Sequence, residues 1–268
     1  MRAELPLRLT EKLEPDIFYQ LVKVLRVSPG DKVVLMAASS AATVVNAGVG
    51  HTTGEEAMNR GDEFLYEVES AQKKEIVLRF KERAKNQNEL DFRLELLLCL
   101  PNKPDKLEMI LQKAVEIGAA AVTIVEGDFS RMKHNLRNER LAKIMTEAAE
   151  QSERAYVPEL AVKSGLRAYL SGLGEEEKSR IFVAMERGAD TLGLPVLLTR
   201  RKAASVHKGT DVTILIGPEG GFSPEEKAMI EKLKFPCFSL GRRILRMETA
   251  AIVSLGMAAS FTHPPFLQ

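Results

Sequence analysis

From about residue 92 onward, short apolar runs alternate with stretches that repeat apolar residues every three or four positions. Phe92–Leu100, Val122–Val125, Ile181–Met185, Val212–Ile216 and Cys237–Leu240 are runs of the first kind. Near-continuous apolar runs of this length predict strands covered on both faces, as in a parallel sheet. After the first run, Leu107, Ile110, Leu111 and Ala114 fall on one helical face. Pro104 is placed to open that helix and Gly118 to stop it. Leu136–Ser152 predicts a charged amphipathic helix with Leu141, Ile144, Met145 and Ala148 inward. Met247–Phe261 predicts a last helix, rich in Ala, Ser and Gly, which reads either as an ordinary buried helix or as one threaded or packed tightly against another chain. The alternation argues for an α/β domain over 92–268, with a mostly parallel sheet and helices on both faces.

Residues 1–81 follow another rhythm. Ile17, Leu21, Val24 and Leu25 have helical spacing, which predicts a short helix over Asp16–Val27. Ser28-Pro29-Gly30-Asp31 is a turn. Lys32–Met36, Glu63–Ser70 and Glu75–Lys81 read as strands, with one more possible around Val44, Val45 and Val49. Several short strands with turns suggest a small β-barrel. Residues 82–91 are polar at their start and of mixed charge, and read as a linker.

Two of the strands run into loops that look built to hold a ligand. Val212–Ile216 leads into Gly217-Pro218-Glu219-Gly220-Gly221, and Cys237–Leu240 into Gly241-Arg242-Arg243-Ile244-Leu245-Arg246. Gly220 and Gly221 let a flat ligand approach bare backbone. Ser223-Pro224-Glu225-Glu226 then opens a helix, with Ser223 and Glu226 spaced as a capping box. A strand, a glycine turn and a helix start commonly bind phosphate. Here Glu219, Glu225 and Glu226 oppose an anion, and no Lys-Ser/Thr pair follows the glycines. Sites in parallel sheets lie beyond the carboxyl ends of the strands. That rule gathers Met185-Glu186-Arg187, Gly217–Gly221 and Gly241–Leu245 into one place.

Composition narrows the classes. The chain has 268 residues, 45% apolar and 28% charged, enough for two packed domains. A net charge of +1 means that any nucleic acid would be met by local basic patches. One such patch is the run Arg131, Lys133, His134, Arg137, Arg140 and Lys143. Cys99 and Cys237 are the only cysteines, expected as buried free thiols in a reducing compartment. Four scattered histidines offer no metal-ligand spacing. No apolar run approaches ~18 residues, and the first residues lack a signal peptide's apolar core. A cytoplasmic location with no membrane partner is expected.

Ile216-Gly217-Pro218-Glu219-Gly220-Gly221-Phe222, together with Leu240-Gly241-Arg242-Arg243-Ile244-Leu245-Arg246-Met247-Glu248-Thr249-Ala250, resembles the RsmE family of ribosomal RNA uridine N3-methyltransferases, in the SPOUT superfamily. Lys103 with Ile110–Gly118 is similar to the family's first helix, and Glu147–Arg154 followed by Val157-Pro158 to its Gln-Ser-x-Arg segment. Val24-Leu25-Arg26 with Gly30-Asp31 resembles the signature of its N-terminal PUA-like domain, although Leu5-Pro6-Leu7 and Tyr19 depart from the usual residues there. The resemblance implies a trefoil-knotted SPOUT methyltransferase domain over 92–268, preceded by a PUA-like β-barrel over 1–81 that binds RNA. It implies a homodimer, S-adenosyl-L-methionine as cofactor, and 16S ribosomal RNA of the small ribosomal subunit as substrate. The cofactor residues it implies are Met185, Glu186, Ile216, Gly217, Glu219, Gly220, Gly221, Leu240, Gly241, Ile244 and Leu245.

Methylation at N3 of uracil requires loss of a weakly acidic proton. An Arg can stabilise the developing anion, and Arg131, Arg154 and Arg246 are the candidates. A carboxylate can take the proton, and Glu116 and Glu248 are the candidates. Arg8, Lys23, Arg26 and Arg137 are candidate RNA contacts, each equally readable as solvated surface charge. Two other readings stay open. One is a non-catalytic, ribosome-associated RNA-binding protein with the same fold, and the other a nucleotide-phosphate enzyme.

Overall fold

The structure, a computed structural model, describes residues 6–36, 62–130, 136, 138–186, 192–204 and 211–262. The chain divides into two compact units. One comprises 1–89 with 153–156, the other 90–152 with 157–268.

In the first unit, β1 (Leu7–Thr10), β2 (Lys32–Met36), β3 (Asp62–Ala71) and β4 (Glu75–Lys85) form an antiparallel sheet in the order β1-β4-β3-β2. Strand β2 alternates. Val33 and Leu35 are buried while Val34 between them is exposed, the period of two expected of a sheet with one wet face. Leu9, Phe18, Leu21, Tyr66, Val68, Ile76 and Leu78 complete the core. Strand β4 runs on through Lys85, so the first four residues of the expected linker are sheet, paired with the start of β3. The expected helix over Asp16–Val27 is shorter. It is α1 (Pro15–Tyr19), continued by one wide π-turn over Gln20–Val24. Arg26 follows in the left-handed region at φ 52°, which ends any helix there. The strand expected near Val44, Val45 and Val49 lies outside the described residues.

Glu89 and the 153–156 segment belong to this unit. Arg154 is 2% exposed. Its Nε and Nη2 donate to the two carboxylate oxygens of Glu89 at 3.2 and 2.8 Å. Its guanidinium lies 4.8 Å from the Tyr156 ring centre.

In the second unit, β5 (Leu94–Cys99), β6 (Ala121–Val125), β7 (Glu159–Lys163), β8 (Ile181–Ala184), β9 (Val212–Ile216) and β10 (Cys237–Phe238) form a sheet in the order β10-β8-β9-β5-β6-β7. Every pairing in it is parallel. Helix α2 (Pro104–Ile117) starts at its proline and stops at Gly118, φ 105°. There Gly118 N–H bonds to Val115 O at 3.0 Å and Ala119 N–H to Ala114 O at 2.9 Å, a Schellman cap. Helix α3 spans Asn138–Gln151, within the expected 136–152. Helices α4 (Leu166–Gly172), α5 (Glu175–Ser179) and α6 (Leu194–Ala204) and strand β7 carry too weak a periodicity to be foreseen. Helices α7 (Pro224–Lys232) and α8 (Met247–Thr262) follow the two glycine-bearing loops. Helix α8 packs on α2, α6, β5 and β9. Its residues Ala251, Ser254, Leu255 and Ala258 are completely buried against this unit, whereas Ala250, Gly256 and Ala259 are half-buried and Ser260 is exposed. Cys99 is fully buried and Cys237 half-buried, both as free thiols. Burial pushes the Cys99 thiol well up, and the carboxylates of Glu226 and Asp128 add to the shift.

Candidate active site

Three loops leave the carboxyl ends of β8, β9 and β10 and meet around a cavity of about 480 Å³. The first contributes Ala184, Met185 and Glu186; the second Ile216, Gly217, Pro218, Glu219, Gly221 and Phe222; the third Ser239, Leu240, Gly241, Arg243, Ile244, Leu245 and Arg246. Met247 and Ala250 from the start of α8, Lys106 from α2 and Lys227 from α7 complete the wall.

The glycines have distinct tasks. A Cβ on Gly217 would stand 2.8 Å from Phe222 Cζ, so the buried Phe222 ring fills the space that a side chain would need. Gly221 has φ 76° and a Cβ there would meet Glu186 Oε1 at 3.3 Å. Gly220 is not part of the wall. A Cβ on it would stand 3.2 Å from Phe129 Cβ.

Electrostatics divide the cavity into a half-buried base and an open rim. At the base, Lys106 Nζ lies 3.3 Å from Glu219 Oε1 and 3.6 Å from Glu248 Oε2. Both Glu219 oxygens accept the Asn102 N–H at 3.1 Å. Glu248 Oε2 is buried with no hydrogen bond, so its attraction to Lys106 is an ion pair rather than a bonded contact. At the rim, Arg243, Arg246, Lys227 and Glu186 are exposed. The capping box expected at α7 is present. Ser223 N–H donates to Glu226 Oε2 at 2.8 Å and Glu226 N–H to Ser223 Oγ at 3.1 Å. The other Glu226 oxygen accepts the Asp128 N–H at 2.8 Å. Two of the three carboxylates near the glycine turn, Glu219 and Glu226, are thus committed to backbone amides.

Of the residues named from sequence as cofactor-binding, all but Gly220 line this one cavity. Arg246 lines it too, and Glu248 lies beside it through Lys106. Glu116 does not line it; both its oxygens accept from Lys113 at 2.8 Å on the flank of α2. Arg154 does not line it either, being held by Glu89. Arg8 is exposed and bonded to Glu75 at 3.2 Å, while Lys23 and Arg26 are exposed on the π-turn and after it. Arg131, Arg137 and Arg187 lie outside the described residues. Sequence reasoning missed Lys106, Lys227 and Phe222 as wall residues. For Lys106 the only usable signal was its place one turn into the helix after β5, and nothing local shows that β5 pairs with β9. Among the described residues there is no cluster able to hold a metal ion, and no helix long and apolar enough to cross a membrane.

A parallel α/β sheet with glycine loops around a polar-rimmed cavity at its carboxyl edge is an architecture suited to a nucleotide-like ligand. Residues 88–259 match the RNA methyltransferase domain family, which fixes the class. Ribosomal RNA small subunit methyltransferase E of Bacillus subtilis is 31% identical over 215 residues, 74% of this chain and 81% of that protein. The chain belongs to the ribosomal RNA small subunit methyltransferase E family. The structure is similar to that of a probable rRNA-methyltransferase from Porphyromonas gingivalis, with a TM-score of 0.71 and 26% identity over 95% of this chain and 94% of the other. The fold is shared with a ribosomal RNA small subunit methyltransferase E from Neisseria gonorrhoeae bound to S-adenosyl methionine, with a TM-score of 0.70 and 22% identity over 97% of this chain and 93% of that one.

Proposed function

We propose that this protein transfers a methyl group from S-adenosylmethionine to N3 of a uridine in the 16S RNA of the small ribosomal subunit. The observation that carries this is the convergence of the loops after β8, β9 and β10 on a single cavity. Its volume of about 480 Å³ suits a small-molecule ligand, for which roughly 300–1,000 Å³ is usual. Leu240, Ile244 and Leu245 give apolar walls for a flat adenine. The backbone at Gly217 and Gly221 is bare enough for close approach. Glu186, exposed at the rim, offers acceptors to ribose hydroxyls. The cofactor bound there supplies an electrophilic methyl group on a sulfonium.

The protein's own work is then alignment and charge. Arg246 stands exposed at the rim, where its guanidinium can hold the negative charge that grows on the uracil oxygens as the N3 proton passes to solvent water there. Lys106, Glu219 and Glu248 keep the 217–221 loop and the start of α8 in register with α2. Glu116 and Arg154 have structural partners and take no part in this scheme. N3 is a pairing edge, so the target uridine must be unpaired when it is modified.

The same reading extends to a trefoil-knotted SPOUT topology, a PUA-like role for the N-terminal unit with Arg8, Lys23 and Arg26 toward RNA, a homodimer and a cytoplasmic location. The loop motifs quoted above and the all-parallel sheet support it.

The test is to incubate the protein with unmethylated small subunits and methyl-labelled S-adenosylmethionine, then digest the RNA to nucleosides for mass spectrometry. Labelled 3-methyluridine is the expected product. Label on a ribose or on another base, or no label with a folded protein, would overturn the proposal.

A further inference from the structure

Phe129 is an apolar side chain held in the open, 45% exposed. It sits in the turn 126–130 after β6, and that turn is tightly fastened. Ser130 Oγ donates to Leu100 O at 3.0 Å and accepts the Gly127 N–H at 3.1 Å. Ser130 N–H returns to Gly127 O at 2.9 Å. Ser223 Oγ donates to Asp128 Oδ2 at 2.6 Å, and Asp128 N–H to Glu226 at 2.8 Å. A turn so anchored presents its side chain in a fixed place.

A single exposed apolar residue needs no explanation on its own. Its position is what counts here. The Phe129 side chain packs against Gly220, where a Cβ would stand 3.2 Å from Phe129 Cβ and 3.5 Å from its Cδ2. The residues on either side of Gly220 line the cavity. Arg167, 53% exposed at its side chain, lies 3.5 Å from the adjoining Asp128, and Lys227, Arg243 and Arg246 are exposed on the rim of the cavity that Glu219 and Gly221 line. A flat π-face beside exposed guanidinium and ammonium groups is the combination that holds unpaired RNA, with bases stacked and phosphates neutralised. The RNA segment that delivers a uridine N3 to the cavity must be unpaired, so its bases are available to stack.

We propose that Phe129 is a stacking platform for an unpaired nucleobase of the RNA substrate, beside the cavity that takes the methyl donor. This rests on the reading of the chain as an S-adenosylmethionine-dependent RNA methyltransferase. Because the aromatic face does the binding, Phe129 sets affinity for RNA and leaves the cofactor alone.

The chain contains no tryptophan, so Phe129→Trp places a single fluorophore at this point. Saturable quenching by a single-stranded uridine-rich RNA is expected, with none by duplex RNA. Phe129→Ala should raise KM for unmethylated small subunits about tenfold, within what one stacked base contributes, with S-adenosylmethionine affinity unchanged. Phe129→Leu keeps apolar packing on Gly220 but has no π-face, and should behave like Phe129→Ala. Wild-type KM in Phe129→Leu, or a loss of cofactor affinity in Phe129→Ala, would make the ring a prop for the loop and overturn the proposal. Quenching that follows protein concentration without RNA would make the ring a contact between two copies, and overturn it equally. Failure of the wild-type protein to bind the cofactor or methylate RNA would instead sink the function proposed above.

Discussion

The two units solve the problem of a core in opposite ways. In β5, every residue but Glu95 is buried, and in β9 all five are. These strands are covered on both faces, so their sequences are nearly unbroken Leu, Ile and Val. In β4, burial is confined to Ile76, Val77 and Leu78, and from Arg79 to Lys85 the strand is exposed or half-exposed. Its outer face carries ion pairs to neighbouring strands, Arg8 with Glu75, Arg79 with Glu69 and Lys81 with Glu67. Exposed pairs of this kind contribute about 0–1 kcal/mol each. The larger unit therefore rests on apolar burial. The smaller one rests on a thinner core and on the buried Arg154–Glu89 ion pair.

The hardest way to break that contrast is to remove the buried cation. Arg154→Met leaves Glu89 buried without its partner, which costs about 3–5 kcal/mol. The expected outcome is loss of amide protection in β3 and β4 by hydrogen exchange, while β5 and β9 stay protected. Cofactor affinity should not change. A protein that keeps its stability but loses methylation would return Arg154 to the catalytic candidates.

Next in size is a core deletion. Leu97→Ala on β5, where the side chain is 1% exposed, should cost about 2–5 kcal/mol in urea unfolding. Val34→Ala on β2, 49% exposed, should fall within about 0.5 kcal/mol of the parent. Equal costs would mean that Val34 is covered in solution, and that the thin sheet is not wet on its outer face.

The same contrast governs what could be read from the sequence. The larger unit was legible because two-sided burial writes itself as apolar runs, and because Pro104, Gly118 and the Ser223–Glu226 box mark element ends by local chemistry. The exceptions, β7 and α4 to α6, have half-buried or mixed faces and so lack a clean period. Strand β4 past Lys81 reads as linker because an exposed strand carries the polar composition of a loop. The wall residues on the two glycine-bearing loops were legible from the glycines, the proline and the flanking strands. Lys106, Lys227 and Phe129 were not, since their roles come from which strands pair and which loops meet. Arg154 and Glu116 were assigned to chemistry by residue type, and the structure gives each an ionic partner that no spacing revealed.

A smaller effect than those of the Arg154 and Leu97 substitutions lies where the loop after β9 meets the rest of the larger unit. Ser223→Ala removes the cap of α7, typically worth about 0.5–2 kcal/mol. It also removes the hydroxyl that donates to Asp128 at 2.6 Å. The Glu226 bond to Asp128 survives, so the 126–130 turn is loosened rather than released. Thermal unfolding should therefore fall by a few degrees, in keeping with ~1 kcal/mol in a domain of this size. S-adenosylmethionine affinity should hold, because Ser223 does not line the cavity. KM for RNA should rise if a steady Phe129 is what the substrate meets. A Ser223→Thr variant keeps the cap and the donor, and should restore both values. If Ser223→Ala lowers stability and leaves KM untouched, the turn is held by Glu226 and Ser130 alone, and the hydroxyl serves only its helix.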